Sequence, residues 1–280
     1  MKNDIRLIAL DLDGTLLDSE KRLSERNRAA LAAAAARGIH IVPTTGRFFD
    51  AMPACVRELP FVRYAVTING ASVFDRAERR TISSDTIPLP TALAILDALD
   101  AFDVIYDCYM DDAGWNSESN VAKADEYAPD VHYAAMIREL RNHVPDLKAF
   151  LRATGHGVQK LLAFSKDHAL YADLVAAVRA VAPDIIATTS NPRLIEFNAP
   201  GAHKGAALAR LAAHLGFGME AVMAFGDGLN DLTMVRDSGW GVAMANAVPE
   251  VLAAARFTTL SNDDDGVAAA IERLVLKRNG

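Results

Sequence analysis

Asp11 and Asp13 stand in the run Asp11-Leu12-Asp13-Gly14-Thr15, directly after the mostly apolar residues 5–10. In an extended chain, residues two apart point to the same side, so the two carboxylates converge where a strand ends. Carboxylates held close together repel each other. A divalent cation removes the conflict, and Mg2+ prefers oxygen donors and phosphate-bearing substrates. Gly14 lets the backbone turn sharply after the pair. Taken alone, the same residues also describe an Asp-rich turn. A second acidic turn, Gly226-Asp227-Gly228-Leu229-Asn230-Asp231, follows the apolar residues 221–225. Two acidic strand ends in one sheet can meet at one edge, which weakens the reading of either as a simple polar turn.

Thr44-Thr45-Gly46-Arg47 follows the strand-like residues 39–42. A hydroxyl and a backbone N–H on a loop leading into a helix suit a phosphate oxygen, although short Thr-Gly loops are common. Lys204, followed by Gly205, opens a helical stretch. A lone lysine there is usually a solvated charge. Beside several carboxylates and a phosphate it supplies a needed positive point charge. Together these groups meet the needs of phosphoryl transfer. The Asp11 carboxylate can attack phosphorus and form an aspartyl-phosphate. Mg2+ and Lys204 can neutralise the equatorial oxygens, and Asp13 can protonate the leaving oxygen and later accept a proton from water. An ordinary Asp titrates near pH ~3.9, so Asp13 is expected to be raised by nearby negative charge.

These residues need a scaffold that brings distant loops together. Residues 5–10, 39–42 and 64–68 read as strands, and residues 24–37 as a helix with Ser24 as N-cap and Gly38 as stop. This alternation predicts an α/β, Rossmann-like parallel sheet with helices on both faces, whose strand C-termini bind ligands. The pattern returns in helix 204–215, strand 221–225, helix 230–237, strand 241–243 and helix 267–277. The middle of the chain differs. Helices at 91–99 and 169–181 alternate with strand-like runs at 104–109 and 158–164, and Asp111-Asp112-Ala113-Gly114 reads as a turn. The expected layout is a core of residues 1–85 and 191–280 with an α+β insert of residues 86–190. In the insert, Trp115 is expected in the core, and Lys160 and Arg193 as solvated charges.

At 280 residues the chain is long for one core. A net charge of −7 argues against a general nucleic-acid binder. Cys55 and Cys108 form no C-x-x-C pair, which fits a reducing, cytoplasmic setting. The apolar stretch before Asp11 is too short for a secretory signal. No apolar run approaches the ~18 residues of a membrane span. The seven histidines lack metal-ligand spacing.

The four motifs, Asp11-x-Asp13-Gly14-Thr15, Thr45, Lys204 and Gly226-Asp227-Gly228-x-Asn230-Asp231, resemble those of the haloacid dehalogenase-like hydrolases. Thr45-Gly46-Arg47, Asn69-Gly70-Ala71, Gly241-Val242-Ala243-Met244-x-Asn246-Ala247 and Asp265-Gly266-Val267 agree. The position of the insert resembles the Cof-type subfamily (class IIB), which carries a C2-type cap. The resemblance implies Asp11 as nucleophile, Asp13 as acid/base, and Thr45 and Lys204 as phosphate ligands. It implies Mg2+ on the Asp11 side chain, the Asp13 backbone oxygen and Asp227, with Asp231 and Asn230 in support. Gly46, Arg47, Asn69 and Asn230 would lie near the substrate.

The expected activity is a magnesium-dependent phosphatase acting on a small phosphorylated metabolite: a sugar phosphate, nucleotide or cofactor phosphate. A phosphomannomutase-like phosphotransferase would form the same phosphoaspartate. A non-catalytic phosphate-binding regulator is the rival from another class, and it has no need of Asp13. No nucleic-acid or membrane partner is expected, and oligomeric state leaves no mark in the sequence.

Overall fold

The structure, a computed structural model, describes residues 5–277. The chain divides into two compact units. One runs up to Ser83 and resumes at His203, and the other is Ser84–Ala202.

In the first unit, β1 (Leu7–Leu10) is buried throughout. The helix Glu25–Ala35 follows, opened by Ser24, whose side chain accepts a hydrogen bond from the Asn27 N–H. Such a cap contributes about 1 kcal/mol. Gly38, at φ +82°, takes the left-handed turn beyond the helix. β2 (His40–Pro43) then lies parallel to β1, with Leu10 opposite Pro43. β3 (Tyr64–Thr67), β4 (Ser72–Asp75) and β5 (Arg80–Ser84) make a separate three-stranded sheet, in which β3 and β4 are antiparallel. The left-handed residues Ile68, Asn69 and Gly70 reverse the chain between them. A parallel bridge from Thr44 to Val66 ties β3 to the end of β2.

The second unit holds β6 (Val104–Met110), β7 (Ala113–Ser117), β8 (Arg141–Val144), β9 (Lys160–Ser165), β10 (Ile186–Asn191) and β11 (Leu194–Asn198). They form one sheet in the order β10-β11-β9-β6-β7-β8. Because β10 and β11 are an antiparallel hairpin joined to β9, this unit runs past residue 190 to Ala202. Lys160 is not a solvated charge: it is 1% exposed and its Nζ lies 2.8 Å from Glu196 Oε1. Apolar neighbours on β9 carry it inward, and the ion pair lets it stay there. Arg193 donates to the carbonyls of Ser165 and Glu126 rather than standing in solvent. Trp115 packs on Phe150 at 4.4 Å between ring centroids, and its indole N–H donates to the Met110 carbonyl.

Back in the first unit, β12 (Val222–Gly226), β13 (Trp240–Ala243) and β14 (Phe257–Thr258) complete a five-stranded parallel sheet, β14-β13-β12-β1-β2. Alternation along β1 sends Ile8 and Leu10 into a core with Leu31, Ala34, Ile41 and Val267. Leu7 and Ala9 join the other core, with Ala207, Leu208, Leu211 and Val235. Both faces are therefore covered, as a parallel sheet requires. Two expected helices are broken. Residues 230–237 open as a 3-10 turn, Leu229–Asp231, before the helix Leu232–Asp237, and the last helix passes from Gly266–Ile271 into a π-turn, Glu272–Leu276.

Candidate active site

β1 sits between β2 and β12, and register sets what meets at its end. Leu10 is opposite Phe225, the Asp11 N–H donates to the Phe225 carbonyl, and the Thr44 N–H donates to the Leu10 carbonyl. Asp11, Thr44-Thr45 and Asp227 therefore leave the sheet at one edge.

Lys204 opens the helix Lys204–His214. It is fully buried, with Nζ 2.6 Å from both Asp11 Oδ1 and Asp231 Oδ1. The other oxygen of Asp231 accepts from the N–H groups of Asp227 and Gly228, at 2.9 and 3.0 Å. Asp231 thus ties the Asp227 turn to the lysine. Thr15 donates its hydroxyl to Asp227 Oδ1 at 2.7 Å. Gly14, at φ +87°, is required here, because a Cβ on it would stand 2.5 Å from Asp227 Oδ2.

Ligand oxygens of Asp11, Asp227 and Asp231 all lie within 4.8 Å of one another. Three carboxylates gathered this closely offer the hard oxygen donors that Mg2+ takes. When all are ionised, three carboxylates face one ammonium, which leaves the two negative charges that a divalent cation balances. Hard oxygen donors and this charge fit Mg2+. Burial pushes Asp11 up to about 8, against the opposing pull of Lys204 and with help from Asp231 and Asp227. Burial likewise raises Asp227. Lys204 is raised because its two carboxylate partners outweigh its burial.

The Asp13 side chain is not one of these three converging carboxylates. Arg47 Nη2 is 3.1 Å from its Oδ2, and Lys21 Nζ is 2.8 Å from its Oδ1. Burial would raise Asp13, but the two cations hold it below the ordinary carboxylate range. The expected upward shift is therefore reversed, because its nearest charges are positive. Thr45 is buried, and its Oγ1 accepts from the Arg47 N–H at 3.3 Å. The Asn69 N–H donates to the Thr45 carbonyl, and Asn230 Nδ2 to Asn69 Oδ1 at 3.4 Å. A Cβ on Gly46 would sit 2.8 Å from Asn69 Oδ1, so Gly46, Asn69 and Asn230 form one small assembly.

Three further neighbours brace the site, and of these only Lys21 lies outside the motifs named above. Thr15 is conspicuous only as part of the first run. Asn246 donates to the Gly14 carbonyl and accepts from the Asn262 N–H, bracing the first turn from a distant loop. Lys21 belongs to no pattern, and only the loop that returns it to Asp13 reveals it.

The sequence matches the model of the haloacid dehalogenase-like hydrolase family over residues 8–271. The chain belongs to this family. Within the haloacid dehalogenase-like hydrolases it is of the Cof type, and it is a phosphoric monoester hydrolase. It is 31% identical to a 5-amino-6-(5-phospho-D-ribitylamino)uracil phosphatase of Bacillus subtilis, over 98% of this chain and 97% of that one. It is 29% identical to the pyridoxal phosphate phosphatase of Escherichia coli, over 95% of this chain and 97% of that one. A haloacid dehalogenase-like hydrolase from Bacteroides thetaiotaomicron superposes with a TM-score of 0.82 at 29% identity, covering 96% of this chain and 99% of that one. Among the described residues, no helix is long and apolar enough to cross a membrane.

Proposed function

We propose that this hydrolase is a magnesium-dependent phosphatase that cleaves a small phosphorylated metabolite through an aspartyl-phosphate on Asp11. The observation that carries this reading is the buried contact of Asp11 with Lys204 inside the cluster with Asp227 and Asp231. One Asp11 oxygen attacks phosphorus, and the bond from phosphorus to the leaving oxygen breaks. Asp13 gives that oxygen a proton. Water then attacks the phosphorus of the acyl phosphate, Asp13 takes the water's proton, and Asp11 is regenerated with release of inorganic phosphate. Lys204 and the Thr45 hydroxyl hold phosphoryl oxygens. Gly46, Arg47, Asn69 and Asn230 line the approach.

Mg2+, held by Asp11 and Asp227 with the Asp13 main-chain oxygen and with Asp231 and Asn230 in support, supplies positive charge that keeps Asp11 ionised and offsets the phosphate dianion. Between its two cations Asp13 is held in its charged form, so it must leave them and take up a proton before it can act as the acid. The Ser84–Ala202 unit acts as the cap that selects the leaving group. Relatives named for a ribitylaminouracil phosphate and for pyridoxal phosphate support a small metabolite ester as substrate. Cys55 and Cys108 are free thiols, which supports a reducing, cytoplasmic setting.

The test is phosphate release from p-nitrophenyl phosphate and from a panel of phosphorylated metabolites, with Mg2+ and with chelator. Turnover should need the metal and should vanish in Asp11→Asn, a near-isosteric but poorly nucleophilic change. Wild-type rates in that variant, or ligand binding without any release of phosphate, would defeat the proposal.

A further inference from the structure

Beyond its ion pair with Asp13, Lys21 has no role in the mechanism above, yet its loop is closely held. Lys21 adopts φ +63°, a left-handed conformation that costs a non-glycine residue about 1 kcal/mol or more. The loop around it is braced at both ends. Asp18 Oδ1 accepts from the N–H groups of Glu20 and Arg22, and the Lys21 N–H donates to the Asp18 carbonyl. Ser19 donates through both its N–H and its hydroxyl to Asp263, at 2.8 and 2.7 Å. The result is an amine fixed at its root and aimed at Asp13, two residues from Asp11.

Charge differs sharply between the two neighbouring groups. Around Lys204, carboxylates outnumber cations. Around Asp13, Lys21 and Arg47 share a single carboxylate, 2.8 and 3.1 Å away. That arrangement carries one positive charge in excess, and it surrounds an oxyanion already. The Asp13 carboxylate stands in it as a built-in occupant.

We propose that Lys21, with Arg47, forms a clamp for a second anionic group on the leaving portion of the substrate, and that this group displaces the Asp13 carboxylate from it. The inference rests on the phosphatase reading and extends it to substrate class: esters whose leaving group bears a carboxylate or a further phosphate. Lys21 is thus a specificity-determining residue. Binding of the right substrate also frees Asp13 to turn toward the leaving oxygen, so recognition and acid catalysis are linked by one exchange of partners.

The test compares two primary-alcohol esters, glycerol phosphate and the matching glycerate ester, which has a carboxylate in place of the terminal hydroxymethyl group. Binding is measured by calorimetry with Mg2+ in the full-length Asp11→Asn background, so that it does not depend on turnover. A charge-assisted contact should favour the glycerate ester about tenfold. Adding Lys21→Met should abolish that preference, and Lys21→Arg should retain most of it. In the enzyme with Asp11 intact, the same preference should appear in KM. A preference that survives Lys21→Met, or no preference in the Asp11→Asn protein, overturns the clamp. Loss of affinity for both esters equally in Lys21→Met would also overturn it, marking a general phosphate contact. Absence of phosphate release from every ester, with the binding preference intact, would instead count against the phosphatase reading and leave the clamp standing.

Discussion

Replacing Lys204 with Met preserves much of the side chain's length and deletes its charge. The wild-type ammonium is fully buried and 2.6 Å from two carboxylates, Asp11 and Asp231. Removing one partner of a buried ion pair costs about 3–5 kcal/mol. The penalty should also grow with pH, and the sign follows from Asp11. In the native protein Asp11 titrates at about 8, chiefly through burial, with Lys204 opposing the rise. An unfolded Asp titrates near ~3.9. Between these values the native state holds a proton that the unfolded state lacks, so stability falls by about 1.36 kcal/mol per pH unit. In the wild type this decline tapers off as Asp11 ionises. Without Lys204 the carboxyl keeps its proton longer and the decline continues. From about pH 6 to about pH 9 the variant should lose about 1.4 kcal/mol more than the wild type. The assay is chemical denaturation of both proteins in chelator at the two pH values, followed by circular dichroism. A deficit below about 1 kcal/mol, or one that does not widen toward high pH, would refute the buried-pair account.

Gly14→Ala places a Cβ 2.5 Å from Asp227 Oδ2 at a backbone angle of φ +87°. It should weaken activation by Mg2+ by about tenfold or more, read from activity against metal concentration; an unchanged half-saturation would remove Asp227 as a ligand. Asp13→Asn should slow alkyl phosphate esters far more than p-nitrophenyl phosphate, because nitrophenolate departs without a proton. Equal losses in kcat for both would take Asp13 out of the proton transfer.

The residues proposed to react are legible because they fall where apolar runs stop. Asp11 follows the buried Leu7–Leu10, and Asp227 follows the buried Val222–Gly226. Strand ends are where a parallel sheet exposes its ligand edge, so hydrophobic pattern and chemistry coincide. The insert is less legible. Residue 190 looks like a stopping point only until β11 is seen to pair with β9, a contact between residues far apart in the chain. Lys160 looks solvated because its partner Glu196 lies on another strand. Asp13 shows the same limit within the site. Its direction of titration depends on Lys21 and Arg47, and no spacing rule announces that both converge on it.

The central place of β1 between β2 and β12 has a consequence for biosynthesis. One neighbour is made almost at once. The other, with Asp227 and Asp231, emerges from the ribosome some two hundred residues later, after the whole Ser84–Ala202 unit has had time to fold. Until then Asp11 stands on an open sheet edge, without the buried lysine or the acidic turn. If Asp11 works as proposed, a nascent chain cannot turn over phosphate esters until the late strand pairs beside the first.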